Sequence, residues 1–431
     1  MSSNMTSRTT IHLDVTPLEA LVDVPITIRL SDLPAGQRVT LWARAQDSRG
    51  SMWAASASFV AGSNGEIDVA AQLPVAGSYH RADPMGLLWS MQPVGHKSSF
   101  FLSREQMSVE IDLIAEIDGA AVAATRLKRR LASEDVVSTP VREQGLVGSF
   151  SYPVHATSLP AVVILPGSDG QIPENAAALL ASHGFAALAL AYFGAEGLPK
   201  NLVHIPLEYF EGAFHWLQKQ PIVQGNKIGV IGLSRGGELA LLLGATFPTI
   251  KAVVACSPSG LVQAGIDGND YSRSAWTYRG KPLQQVVVKF TPLLFFTLMW
   301  QSFRARAFSM RAMFYTTLKD RKHLAEATIP VEEIQGPIML ISGDNDQLWP
   351  ATIFSKLVMK RLMKYHHPYP DQHLRYPGAG HFVSFPYGYP FLPPSVKPAG
   401  VAFGGTIEDT AASVADSWPK ILAFLQSALA G

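Results

Sequence analysis

The sequence predicts an α/β protein in two parts: an Ig-like β-sandwich over residues 1–140, then a doubly wound α/β domain with a mainly parallel sheet over 141–431. Three observations carry that prediction. Up to about residue 117, short segments rich in Val, Ile, Trp and Phe alternate with turn clusters. Beyond about residue 141, wholly apolar runs alternate with amphipathic stretches. One of these runs, 228–231, enters the turn G-L-S-R-G and leaves it as a helical pattern.

In the first part, turns are marked by P-A-G at 34–36, D-S-R-G at 47–50 and G-S-N-G at 62–65. Between them, I-T-I-R-L at 26–30 and V-T-L-W-A-R at 39–44 alternate with period two, as half-buried strands of a sandwich do. No cluster of titratable residues converges here, so the expected role is packing and shaping one wall of a cleft. D-P-M-G-L-L-W at 83–89 reads as an Asp-Pro turn before an apolar stretch, either a core loop or part of a domain interface. The basic run R-L-K-R-R at 126–130 is expected to be solvated surface, with contact to ligand phosphates as the lesser alternative.

In the second part, 161–165, 186–191, 228–231, 252–255 and 338–342 suit parallel strands buried on both faces, and 176–182 and 207–218 suit amphipathic helices. Residues 267–328 interrupt the alternation with many aromatics and predict a mostly helical cap. Within it, 290–300 is expected to be a buried wall, too short for the roughly 20 residues of a membrane span. Its aromatics fit either the lining of a long acyl-chain site or ordinary helix packing. The Pro-rich stretch 387–398 predicts a loop, and 409–430 a final helix that closes the sheet.

Composition sets limits on function. With 431 residues, 47% of them hydrophobic, the chain can bury a large core. A net charge of only +1, without a long single-sign block, does not suggest nucleic-acid or anionic-membrane binding through bulk charge, so any anionic ligand must be met locally. A single cysteine, Cys256, excludes an internal disulfide framework and is expected to be a buried structural thiol in a reducing compartment. The polar N-terminus shows no secretory h-region, and the C-terminus is not of the S-K-L type, so the expected location is the cytoplasm. There is no H-E-x-x-H and no ligand-like histidine spacing, so neither metal nor separate cofactor is expected.

The turn at 232–236 is the chemical centre. Ser234 is the candidate nucleophile, and a serine hydroxyl needs a base to take its proton and an acid to hold that base. In an α/β-hydrolase the order is Ser, then Asp or Glu, then His, each after a strand. The later run 338–342 leads into G-D-N-D, which offers Asp344 and Asp346. Asp344 directly follows the glycine and suits capping of the turn; Asp346, further along the loop, is the preferred acid. His381 follows the short strand 372–376 and the turn P-G-A-G, which makes it the expected base, whereas His366, His367 and His373 suit surface or packing roles. For the oxyanion, one backbone donor is expected from Arg235, directly after the nucleophile. The other is expected from Ser168 in P-G-S-D-G after the first α/β strand. The side chains of Arg235 and Glu238 are read as surface charges at a helix start.

With these residues in place, the chain resembles the family of acyl-CoA thioesterases and bile acid-CoA:amino acid N-acyltransferases over nearly its whole length. The N-terminal likeness lies in V-D-V-P-I-T-I-R-L from Val22, L-P-A-G-Q-R-V-T-L-W-A-R from Leu33 and D-P-M-G-L-L-W-S-M from Asp83. The C-terminal likeness lies in H-G-F-A-A-L-A-L-A-Y-F-G from His183, L-P-K from Leu198 and G-L-S-R-G-G-E-L-A-L from Gly232. It continues in P-G-A-G-H from Pro377 and D-S-W-P-K-I-L-A-F-L from Asp416. The resemblance implies a triad acting on acyl-CoA thioesters, carried onto Ser234, Asp346 and His381, with CoA as part of the substrate. Two departures stand out: P-G-S-D-G replaces a glycine-rich oxyanion loop, and serine stands where amino-acid-conjugating members typically carry cysteine. Hydrolysis of an acyl-CoA or related thioester is therefore the expected activity, and transfer to an amine or alcohol is the alternative. The sequence leaves the oligomeric state open.

Overall fold

The wholly apolar runs of the second part form the strands of one sheet, because side chains that alternate across a strand and are apolar on both sides bury only between two layers of helix. The computed structural model describes residues 10–95, 101, 107–268, 270–287, 292–304, 307–319, 321–383, 395–396 and 400–430. The sheet has eight strands: β1 (Val136–Val141), β2 (Val147–Pro153), β3 (Leu159–Leu165), β4 (Ala186–Ala191), β5 (Val223–Leu233), β6 (Ile250–Cys256), β7 (Ile338–Gly343) and β8 (Gln372–Tyr376). Their spatial order is β1-β2-β4-β3-β5-β6-β7-β8. The β1–β2 and β2–β4 pairs are antiparallel, and every pair from β4–β3 to β7–β8 is parallel. This is the doubly wound α/β-hydrolase sheet.

Both faces are covered. Ile228 and Val230 of β5 join a buried cluster with Phe210 and Phe214 of α2 (Leu207–Gln218) and Leu239 of α3 (Arg235–Thr246). Gly229, between them, faces Leu425 and Leu429 of the C-terminal helix Ile407–Leu429 on the other side, where an added Cβ would stand 3.0 Å from Leu429. That helix starts on a cap from Thr406, whose hydroxyl accepts the amide of Asp409. Burial of one such large apolar side chain contributes about 1.5–3 kcal/mol.

The described residues divide into two compact units between Leu131 and Ala132. The break falls ahead of the expected boundary at 140, because β1 pairs with β2 and is the edge strand of the catalytic sheet. The first unit is built of a three-stranded and a seven-stranded sheet. In its central strand Arg38–Gln46, Val39, Leu41, Ala43 and Ala45 are buried while the residues between them are not. The basic run 126–130 is the end of the strand Ala120–Arg130. Arg126 pairs with Asp112 and Glu110, Lys128 and Arg130 with Glu19, and the buried Arg129 donates to the carbonyls of Val22 and Val24. These bases are matched within the unit, which removes the reading as a phosphate site.

The insertion after β6 differs from the expected helical cap. Its first half is extended: Trp276–Tyr278 and Lys281–Pro282 form a small sheet with Ile205–Pro206. Among the described residues, helices follow at α4 (Pro292–Arg304), α5 (Arg311–Thr317) and α6 (Arg321–Glu326). The expected buried wall is also corrected, since α4 turns Phe295, Phe296 and Met299 to solvent and packs inward through Leu294. The Pro-rich stretch 387–398 lies outside the described residues, except for the two-residue strand Ser395–Val396. Among the described residues no helix is long and apolar enough to cross a membrane.

His373 in β8, His366 and His367 take packing or connecting positions. His367 is held between Asp371 and the carbonyl of Ile334, and His366 lies on the turn after the helix Ala351–Lys364. His373 Nε2 meets the hydroxyl of Ser342, and burial, with Arg375 and Lys356 nearby, pushes its ring down to about 4. The unfolded chain, near the ordinary value of about 6.5, therefore binds this proton first on acidification. The thermal advantage of wild type over His373→Gln should be full above about pH 6.5 and shrink as the pH falls to about 4. A constant advantage across that range, measured by calorimetry, would show that the ring does not fold as a buried neutral group.

Candidate active site

The turn between β5 and α3 holds Ser234 at φ 60° and ψ −117°, a conformation that non-glycine residues adopt only when the surroundings enforce it. Three contacts enforce it. The Ser234 amide donates to the carbonyl of Cys256 at 2.8 Å. An added Cβ on Gly232 would collide with the Gly236 carbonyl, and one on Gly236 would stand 2.5 Å from the carbonyls of Leu165 and Pro166. The flanking glycines are needed because backbone already fills the space on both sides. Ser234 sits at the head of α3, whose first N–H groups have no partner within the helix.

His381 is placed by what surrounds its loop. Its amide donates to the Phe403 carbonyl at 2.9 Å, and its own carbonyl accepts the Ser257 hydroxyl at 2.6 Å. Ser257 directly follows Cys256, so a short chain of bonds runs from the nucleophile's amide through residues 256–257 to the histidine. The ring packs near Phe403, Trp349 and Phe382 and is 2% exposed. Its Nδ1 donates to Asp346 Oδ2 at 2.8 Å, because a carboxylate only accepts, and this leaves Nε2 as the ring's acceptor.

Asp346 is the better-placed acid. Its other oxygen accepts the amides of Leu348 at 2.8 Å and Trp349 at 3.2 Å, so both oxygens of the buried carboxylate are hydrogen-bonded. Asp344 points elsewhere: it pairs with Arg375 and accepts from Thr352, and the bond to Arg375 holds its carboxyl below the usual range. Arg311 of α5 braces the acid loop by donating to the carbonyls of both Asp344 and Asp346 at 3.2 Å.

The loop P-G-S-D-G after β3, where an oxyanion donor is expected, lies beside Ser234. Gly167 lies against the nucleophile, where an added Cβ would be 3.6 Å from Ser234 Cβ, and Ser168 follows it on the exposed side of the turn. Tyr192, at the end of β4, donates its hydroxyl to the Pro166 carbonyl at 2.7 Å and pins this loop; burial pushes its pKa strongly up. Arg235 and Glu238 are not surface charges. Arg235 is 4% exposed and Glu238 0%, and they pair at 2.7 Å. Glu238 also accepts Trp276 Nε1 at 2.9 Å and the Gln263 amide at 3.1 Å. Burial raises the Glu238 pKa while Arg235, Trp276 and Gln263 oppose that rise. Among the described residues no group of three His, Cys, Asp or Glu side chains is gathered as a metal site.

Two family profiles match this chain: "BAAT / Acyl-CoA thioester hydrolase C terminal" over residues 205–431 and "Acyl-CoA thioester hydrolase/BAAT N-terminal region" over 23–143. The chain belongs to the acyl-CoA thioester hydrolase/BAAT family. It is 31% identical to mouse (Mus musculus) acyl-coenzyme A thioesterase 6, over 95% of this chain and 94% of that protein. It is also 31% identical to mouse acyl-coenzyme A amino acid N-acyltransferase 1, over 97% and 98%. To mouse peroxisomal succinyl-coenzyme A thioesterase it is 29% identical, over 93% of each.

Within this family framework, sequence reasoning missed the residues that hold the site together. Phe403, Gly404 and Gly405 pack against both the acid and the histidine loops: an added Cβ on Gly404 would strike the Asn345 carbonyl, and one on Gly405 the Gly380 amide. The paired glycines before the final helix were the available signal. Tyr192 lies inside the family-like segment that starts at His183, whereas nothing local in the sequence marks Arg311. Asp346→Asn should lower kcat on the order of 10⁴-fold through loss of the ring's orientation, while Asp344→Asn should retain most activity in a thioester assay. Equal losses would reassign the acid.

Proposed function

We propose that this protein hydrolyses acyl-CoA or a closely related acyl thioester to free acid and thiol through an acyl-Ser234 intermediate. The observation that carries the proposal is the buried Asp346–His381 bond, tied through residues 256–257 to a serine held in a strained turn. It is supported by thioesterase relatives aligned over nearly the full chain. His381 Nε2 takes the Ser234 proton as Oγ attacks the thioester carbonyl, and backbone N–H groups of Arg235 and Ser168 receive the oxyanion. Collapse breaks the C–S bond, and the thiolate leaves with the proton from His381. Water then attacks the ester, giving its proton to Nε2, and the acid departs as Ser234 recovers its hydrogen. Asp346 stays ionised and holds the ring throughout. We place the reaction in a reducing compartment, the cytoplasm by default, which the single buried thiol of Cys256 suits.

The second reading, transfer to an amine, is favoured by the N-acyltransferase relative at 31% identity. The nucleophile separates the two. An oxygen ester reacts with amines less readily, relative to water, than a thioester does, so Ser234 favours water. With acyl-CoAs of several lengths and glycine or taurine present, wild type should release mainly free acid, and Ser234→Cys a larger fraction of amide, read by liquid chromatography with mass detection. Mostly amide from wild type would replace hydrolysis with acyl transfer.

A further inference from the structure

Helix α4 presents its apolar side outward. Phe295, Phe296, Met299, Trp300 and Phe303 are 58, 65, 53, 59 and 90% exposed, while Leu294 is 4% exposed. At about 100° per residue these five fall within an arc of about 140°, one continuous stripe along the helix. Scattered apolar residues on a surface are ordinary, but a contiguous stripe of aromatics and Met marks a contact surface.

The charge of the sequence segment that carries this stripe narrows what covers it. From 280 to 319 the sequence carries Lys281, Lys289, Arg304, Arg306 and Lys319, besides Arg311, which is engaged by the acid loop, and no Asp or Glu, although the whole chain is nearly neutral. A second copy of the chain, meeting this face by two-fold symmetry, would bring two such basic regions together. An anionic lipid surface instead complements the bases and takes the aromatic stripe into its headgroup and acyl boundary. A helix of 13 residues, Pro292–Arg304, is about 20 Å long and cannot cross the roughly 30 Å hydrocarbon core, so it would lie in the interface.

We propose that α4 docks the protein on membranes bearing anionic lipids, with Phe295, Phe296, Met299 and Phe303 inserted. A long-chain acyl thioester partitions into such membranes through its chain, so a docked enzyme would meet its substrate there. That consequence rests on the thioesterase reading, but the docking does not.

The test is co-sedimentation of the purified full chain with phosphatidylcholine vesicles, with and without phosphatidylserine, which reads binding without any turnover. Wild type should sediment with the phosphatidylserine vesicles, less so without that lipid, and less as salt rises from ~0.05 to ~0.5 M. The double variant Phe296→Asp, Phe303→Asp should bind at least about tenfold more weakly, with its thermal midpoint confirming the fold. If it does not fold, Phe303→Ser at the most exposed position makes the same comparison. No wild-type sedimentation, or unaltered binding by the variant, would overturn the docking face. Equal binding to both compositions would overturn the anionic assignment. A wild-type dimer on size exclusion that the variant breaks, without vesicle binding, would give the face to a second copy.

Discussion

The backbone of Ser234 stands in a left-handed conformation just past a strand whose residues 228–232 are buried, and the rest of the site is arranged around keeping it there. A strained residue persists only where its neighbours leave no alternative, at a cost of order 1–3 kcal/mol. Here the neighbours are backbone rather than side chain: the Cys256 carbonyl on one side and the Leu165 and Pro166 carbonyls on the other. Such contacts are possible only because residues 232 and 236 lack a Cβ. The same carbonyl of Pro166 receives the Tyr192 hydroxyl, so the elbow and the loop after β3 are fixed by shared groups.

The ion pair beneath the elbow serves the same end. Arg235 and Glu238 are buried at the first turn of α3, where removal of one partner would leave an isolated charge and cost roughly 3–5 kcal/mol. Glu238 is held in turn by Trp276 from the insertion and the Gln263 amide, and Arg235 lies near the face of the Trp276 ring. The insertion therefore touches the machinery through its extended first half. Its helices contribute differently: α5 braces the acid loop through Arg311, and α4 turns outward.

Legibility in the sequence followed the range of the physics involved. The six strands β3 to β8 were readable because apolar runs and helical periodicity are local, whereas the antiparallel β1 and β2 were not; the triad candidates were readable because each lies on a loop that follows a strand. Asp346 was separable from Asp344 by one step along the loop, and the structure shows the reason in the Arg375 contact that engages Asp344. Burial of Arg235 and Glu238 was not readable, since their partners, Gln263 and Trp276, lie 25 and 38 residues from Glu238. The domain break was displaced because an antiparallel edge strand, β1, looks in sequence like the sandwich strands before it. Helix α4 was read as buried because its composition is apolar, while its direction depends on what it packs against.

The central claim is that Ser234 is the group that becomes acylated. Its most direct measurement is reaction of the folded protein with a fluorophosphonate, followed by intact-mass and peptide mass spectrometry on wild type and Ser234→Ala. The account predicts one adduct per chain, on the peptide carrying Ser234, and none on the variant. An adduct on another residue, or labelling that persists in Ser234→Ala, would contradict it.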